Sequence, residues 1–344
     1  MKKQNKIIKT YSSKNYTYLL DSIGTLLESA RKQVVRTINN ILLETYWNIG
    51  KRIVEYEQKG GEKAEYGSEL LLQLSKDLSE KYGKGFSKSN VYLMRLLYLK
   101  YSKFQTLSGK LSWSHYAELL SVSDDLGRSF YEKQCIKENW SVRELKRQIN
   151  SMLFERIAFS KDKIGVLRLA KKGQLIEKEE DIIKDPFVLE FLGIPESYSY
   201  SEKELEKRII DNLQKFLLEL GKGFAFVSRQ FRITLNNEHF YVDLVFYHTI
   251  LKCYVLIDLK VGKVTPQDVG QMNMYLNYFN KEIKNDSDNP PVGIVLGAAK
   301  DNILVEYALG GITNKLFVSR YKLYLPEKRE LSQKLKYLLG KQDN

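Results

Sequence analysis

The sequence predicts an all-α first part joined to an α/β second part, in which a mixed sheet is flanked by helices. Three observations predict this. Apolar residues recur at three- and four-residue steps from about residue 16 to 160. Past residue 200, short β-branched and aromatic runs alternate with helical stretches. The charge is uneven: the 344 residues carry a net +13, of which +10 (26 Lys+Arg against 16 Asp+Glu) falls within residues 1–150. A basic half beside a near-neutral half suggests a polyanion-binding module next to a part with another task.

The helical part opens with YLLDSIGTLLESARKQVVRTINNILLETYWNIGKRIVEYE, whose apolar spacing is helical throughout. GSELLLQLSKDLSEKYGKGFSKSNVYLMRLLYLKY predicts a helix, the turn KGFS and a second helix capped by Ser87. Lys88, Tyr92, Arg95 and Tyr98 would lie on the outer side of that second helix. The pattern is helix-turn-helix-like, and a plain helical hairpin has the same pattern. SWSHYAELLSV and SVRELKRQINSMLFERI extend the helices, with Trp113 and His115 read as packing residues. LIEKEEDIIKDPFVLEFLGIPESYSYSE then changes character, with an acidic cluster, two of the six prolines and a Ser/Tyr run. The domains expected are therefore 1–165, a linker over 166–200, and 201–344.

The second domain starts with a helix over SEKELEKRIIDNLQKFLLELGKGF. FAFVSRQ, FRITL and HFYVDLVFY follow as strands, with NNE turning between the last two. LKCYVLIDLK is the next strand, TPQDVGQMNMYLNYF a helix, PVGIVLGA a strand, NILVEYAL a short helix and LFVSRYKLYL a late strand.

Composition excludes several classes. Two cysteines, Cys135 and Cys253, cannot make a disulfide framework or a Cys-rich zinc site, and they fit a reducing cytosol. Three histidines supply a His-based metal site poorly. The basic, polar N-terminus and the lack of an apolar run of about eighteen residues predict no membrane span and a cytoplasmic protein.

The chemistry concentrates on two strands. Asp243 sits among Val242, Leu244, Val245 and Phe246, where a lone charge is costly. On the next strand Asp258 and Lys260 are two residues apart and project from one face. An antiparallel hairpin about Ile250–Leu251 pairs residues whose numbers add to 501, which sets Asp243 opposite Asp258. Either aspartate alone is more plainly an ion pair or a backbone-bonded side chain. Facing carboxylates repel unless a cation lies between them, and one or two carboxylates with waters and substrate phosphates is a usual Mg²⁺ set. Lys260 could stabilise a phosphate or act on water. Ser201 and Glu204 predict a capping box. Glu206 instead aligns with the inward stripe Ile210, Leu213 and Leu217, where a carboxylate wants a partner. Thr265, Pro266 and Asp268 start the next helix, and one turn in, Gln271 and Tyr275 share a face, from which Gln271 could reach a phosphate or a water.

Helix Glu, strand Asp, Asp-x-Lys and a helix with Gln together resemble the PD-(D/E)XK nuclease superfamily. FLLELGKGFAFVSRQFRITLNNEHFYVDLVFYHTILKCYVLIDLKVGKVTPQDVGQMNMYLNYF is similar to the nuclease domain of YhcG-like bacterial proteins. ETYWNIGKRIVEYE, YGSELLLQLSKDLSEKYGKGFS and LSWSHYAELL resemble the helical N-terminal domain of the same family, so the likeness runs from about residue 20 to 335. The usual proline before the first motif Asp is replaced by Val242, and the third motif residue, often Glu, is Asp258.

The resemblance implies a restriction-endonuclease-like sheet. Asp243 and Asp258 would ligate Mg²⁺, with Mn²⁺ able to substitute and Glu206 assisting directly or through water. Lys260 would position and activate water, and Gln271 would orient substrate or water. The reaction implied is phosphodiester hydrolysis of DNA, duplex or branched, leaving a 5′-phosphate, in defence against foreign DNA or in DNA processing. It also implies a homodimer and a possible restriction-system partner. Lys88, Arg95, Arg143, Lys146 and Arg147 become candidate DNA-phosphate contacts. The competing expectation is a catalytically silent nucleic-acid-binding adaptor.

Overall fold

The periodicity at the start of the chain becomes one long helix in the computed structural model, α1 (Ser13–Lys59). The structure describes residues 13–59, 64–158, 163–195 and 199–325, with residues 327, 331, 333, 335 and 340 beyond them. The basic stretch 1–12 lies outside the described residues. The chain divides into two compact units after Ser121.

The first unit holds α1, α2 (Ala64–Tyr82), α3 (Lys88–Lys100) and α4 (Trp113–Leu119). Ser87 caps α3 as expected, its hydroxyl accepting from the Asn90 amide at 3.3 Å. α1 lies against α3 at Gly50, where a Cβ would stand 2.0 Å from the Met94 carbonyl oxygen. Only glycine allows backbones to approach so closely. Ile53, Leu71 and Val91 form the small core between α1, α2 and α3.

The second unit begins with four helices, α5 (Asp125–Glu138), α6 (Val142–Asn150), α7 (Leu153–Ala158) and α8 (Lys163–Lys172). Then come β1 (Phe187–Val188), α9 (Glu202–Asp211), α10 (Leu213–Leu220), β2 (Phe224–Leu235), β3 (Glu238–His248) and β4 (Cys253–Lys263). It closes with α11 (Pro266–Tyr278), β5 (Val292–Ala299), α12 (Asn302–Leu309) and β6 (Lys315–Lys322). The sheet order is β1-β6-β5-β4-β3-β2. β2, β3 and β4 are antiparallel, and β4, β5, β6 and β1 run parallel. The expected mixed sheet flanked by helices is the architecture found. One face is covered by Leu205, Ile209, Phe216 and Leu220 of α9 and α10, the other by Val269, Met272 and Leu276 of α11. Burial on both faces explains why the middle of β4 reads as an unbroken apolar run. The turn between β2 and β3 is Asn236-Asn237, both left-handed (φ 46° and 65°), the conformation a two-residue hairpin turn demands and asparagine tolerates.

Two expectations are corrected. Of the expected linker, residues 166–195 are packed into the second unit, residues 196–198 lie outside the described residues, and the compact units divide at Ser121/Val122 rather than near 165. Phe187, Val188 and Leu189 are fully buried, β1 pairs with β6, and Glu179 and Glu180 lie beside Lys315 of β6. Of the acidic cluster that looks like a spacer, Glu177, Glu179 and Glu180 form a rim and Asp181 is buried, accepting the Glu177 and Lys178 amides, in a segment whose apolar residues cover the sheet. FAFVSRQ and FRITL are also one strand, β2, rather than two. The break between them marks a backbone irregularity at Gln230.

Candidate active site

The β3–β4 ladder runs from His248↔Cys253 to Leu244↔Ile257, so paired numbers add to 501 as the hairpin predicts. The next step would pair Asp243 with Asp258, and there the ladder ends. The Asp243 side chain takes over: its Oδ2 accepts the Leu259 backbone N–H at 2.8 Å. Asp258 is 3% exposed and Lys260 shares its face, with Nζ 2.9 Å from Asp258 Oδ2. That oxygen makes no hydrogen bond of good geometry, so the ammonium is its partner by charge alone.

Glu206 on α9 is buried, as its place on the inward stripe predicts. Ser201 caps α9 by accepting from the Glu204 amide at 3.2 Å, but the Glu204 carboxylate turns to Arg208 at 3.0 Å, so only half of the expected capping box forms. The partner of Glu206 is a residue the motif reading passes over. Gln230 of β2 donates its amide nitrogen to Glu206 Oε2 at 2.7 Å and to Asp243 Oδ1 at 2.9 Å, using both of its N–H bonds. The β2–β3 register is Arg229↔Leu244 and Phe231↔Val242, which leaves Gln230 opposite Asp243 without a ladder pair. Its φ is +48°, a left-handed conformation that costs a non-glycine residue about 1–3 kcal/mol. The sequence signal for it is slight: a polar residue where the apolar pattern of one strand breaks.

Lys260 is surrounded by carboxylates. Besides Asp258, Asp268 Oδ1 is 3.7 Å away and Glu202 Oε2 3.9 Å away. Burial acts to lower the Lys260 pKa, but Asp258 and the other two carboxylates outweigh it and hold the ammonium well above its usual range. Asp268 also fixes α11, its Oδ2 accepting from the Thr265 amide and hydroxyl, each at 2.8 Å. Burial, and then the charge of Asp243, push the Asp258 carboxyl up to about 7. Burial likewise raises Glu206, with the Gln230 hydrogen bond opposing and Asp243 adding. Gln271 is held by its neighbour, its amide donating to the Tyr275 hydroxyl at 2.7 Å, which donates to the Tyr241 carbonyl at 3.1 Å. Burial, with the charges of Asp258 and Asp243 adding, raises the Tyr275 hydroxyl to about 12.

These residues fit a small hard cation in one specific way. Asp243 and Asp258 offer oxygen donors in a desolvated, mutually repelling pair. Among the described residues, no group of three or more His, Cys, Asp or Glu side chains is placed to hold a metal. The fit is therefore two carboxylates, with Glu206 joined to Asp243 through the Gln230 amide.

Comparison with known proteins decides the family. Residues 180–336 match the YhcG PDDEXK nuclease domain, and residues 22–156 match the DUF1016 N-terminal domain. The protein named "Putative nuclease YhcG" of Escherichia coli (strain K12) is 41% identical over 352 residues, covering 93% of this chain and 93% of its own. The chain belongs to the YhcG family.

Three solved structures share less with this YhcG-family chain. A repair endonuclease from Pyrococcus abyssi is 23% identical over 38% of this chain and 50% of its own, with a TM-score of 0.27. EndoMS in apo form is 17% identical over 38% of this chain and 49% of its own (TM-score 0.25), and the EndoMS-dsDNA2 complex 18% over 39% and 51% (TM-score 0.26). The chain spans about half the length of each.

The basic residues of this family member divide into two sets. Lys88 is exposed at the start of α3, and Arg143 and Lys146 are exposed on α6. Arg95 instead forms a two-pronged pair with Glu57, its Nε 3.0 and 2.8 Å from the two carboxylate oxygens, and Tyr98 packs edge-on against Trp47. Arg147 is bound to Glu190 at 2.9 Å and Glu219 at 3.2 Å and lies over Phe191. Arg95 and Arg147 are thus paired with the protein's own carboxylates at half-buried positions, which sets them apart from the exposed candidates. On β2, Arg229 and Arg232 stand exposed on either side of Gln230, two cations that the sequence pattern does not single out.

Proposed function

We propose that this YhcG-family nuclease is a Mg²⁺-dependent endonuclease that hydrolyses DNA phosphodiester bonds. The observation that carries the proposal is the meeting of Asp243 and Asp258 at the end of the β3–β4 ladder, with Lys260 Nζ 2.9 Å from Asp258. A divalent cation on the two aspartates would supply Lewis-acid stabilisation of phosphate charge and lower the pKa of water. Lys260, kept protonated by its three carboxylates, would orient the attacking water by hydrogen bonding and stabilise negative charge on the phosphate. Gln230 would hold Glu206 and Asp243 in place. Gln271 would act through Tyr275, fixing the wall beside the carboxylates. In the reaction the water oxygen bonds to phosphorus, the P–O3′ bond breaks, the proton is passed to the departing O3′, and a 5′-phosphate remains.

Lys88, Arg143, Lys146, Arg229 and Arg232 would supply phosphate contacts to duplex or branched DNA. Nicking both strands favours a homodimer, and the resemblance drawn from the sequence favours a role in defence or DNA processing, with a restriction-system partner. Two free, buried cysteines suit a reducing cytoplasm. Among the described residues no helix is long and apolar enough to cross a membrane.

Cleavage of a labelled panel tests this: linear duplex, supercoiled plasmid, four-way junction, single-stranded DNA and RNA, with Mg²⁺, Mn²⁺ or EDTA. Metal-dependent cutting of a DNA substrate, abolished in Asp258→Ala and Lys260→Ala while binding persists, is the expected result. Binding without cutting under any metal, unchanged in both variants, would overturn it in favour of the non-cutting adaptor.

A further inference from the structure

Among the described residues, the first half of α1 leaves a long apolar face uncovered. Residues 16–38 are exposed apart from half-buried Gly24, and packing against α3 begins only near Leu43. Eleven large apolar side chains between Tyr16 and Ile41 are exposed, most by half or more. A helix gains most of its stability from packing its apolar face, so an amphipathic arm of this length calls for a partner.

The arm's own sequence identifies that partner. From Tyr16 to Ile41 its seam positions recur at alternating steps of four and three, a heptad spacing. In an antiparallel two-fold pair whose facing numbers add to 57, every seam position meets another: Leu20 faces Thr37, Ile23 faces Val34 and Leu27 faces Ala30. A two-fold interface requires this self-complementarity, with i facing j and j facing i. Charge agrees. Residues 16–28 carry Asp21 and Glu28 with no Lys or Arg, and residues 29–41 carry Arg31, Lys32 and Arg36 with no Asp or Glu. The antiparallel register lays the acidic half along the basic half, whereas a parallel pair would set like beside like.

We propose that the exposed arm of α1 is an antiparallel homodimerisation helix, its occupant the α1 of a second copy. This deepens the homodimer of the proposed function without depending on whether the site cuts, and its failure would leave the cleavage assay unaffected. The test uses the full chain at micromolar concentration. Light scattering should give twice 40.2 kDa, falling to the monomer mass in Ile23→Glu/Val34→Glu with an unchanged circular-dichroism melt at the first unit's core. Disulfide trapping sets the direction, because Cys135 and Cys253 are buried. Positions 20 and 37 are about 25 Å apart along one helix, so they cannot bond within a chain. The Leu20→Cys/Thr37→Cys variant should cross-link into dimers, and Leu20→Cys alone should not. Cross-linking of Leu20→Cys alone would mean a parallel pair and overturn the proposal. So would a monomeric wild type, which would leave the face to another part of the chain or another protein, and so would a dimer that survives Ile23→Glu/Val34→Glu.

Discussion

Gln230 lies opposite Asp243 across β2 and β3, and its side chain replaces the ladder bond that its left-handed backbone cannot make. The same amide holds Glu206. One strained residue of β2 therefore holds two carboxylates at once.

Replacing Gln230 separates the strain from the hydrogen bonds. Gln230→Ala and Gln230→Gly should each lower cleavage and Mn²⁺ affinity about 10–100-fold, as loss of a residue that orients ligands does. Gln230→Gly should be the more stable of the two by about 1–2 kcal/mol, because glycine accepts φ +48° without strain. Titration calorimetry with Mn²⁺ and urea unfolding read the two effects apart. Equal stability of the variants would show that the backbone there relaxes.

Two exposed arginines should behave unlike a third. Arg229→Ala and Arg232→Ala should weaken DNA binding evenly across sequences and reduce the salt slope by about one each. Arg95→Ala should leave the slope unchanged and lower stability, since its guanidinium is held by Glu57. Binding measured between about 50 and 200 mM salt distinguishes them.

His248 gives stability a dependence on pH. It is fully buried, its Nδ1 accepting from the Leu251 amide at 3.1 Å and its Nε2 donating to the Lys222 carbonyl at 3.1 Å. That pattern uses the neutral ring, and burial lowers the His248 pKa below its usual value. Its contribution is therefore complete above the unfolded pKa of about 6.5 and lost as pH falls through the lower folded value. Urea midpoints should drop below pH 6.5 in the wild type and drop less in His248→Asn. Parallel pH profiles would refute the assignment.

Glu219 is a buried anion with Arg147 and Arg156 against it, and it also accepts the Val188 amide at 3.0 Å. Glu219→Ala should cost about 3–5 kcal/mol, because it leaves the fully buried Arg156 guanidinium without its carboxylate, while Arg147 keeps Glu190. Chemical unfolding would measure this, and a loss under 1 kcal/mol would mean that water reaches the cluster.

What could be read from the sequence was what local periodicity controls. The β3–β4 register follows from a short loop and a period of two, so the meeting of Asp243 with Asp258 and Lys260 was legible, as were the caps at Ser87 and Thr265. The inward place of Glu206 followed from helical spacing. The tertiary structure alone decided the rest. Arg147 meets Glu219 across 72 positions and Arg95 meets Glu57 across 38, so charge along the chain could not tell a phosphate contact from an internal pair. The segment at 166–200 reads as a spacer because its acidic residues are plain in sequence, while the sheet its apolar residues cover is completed only by β6. Gln230 became visible only once β2 lay beside β3, because a left-handed residue is dictated by the strands and carboxylates packed around it and leaves almost no trace in the chain itself.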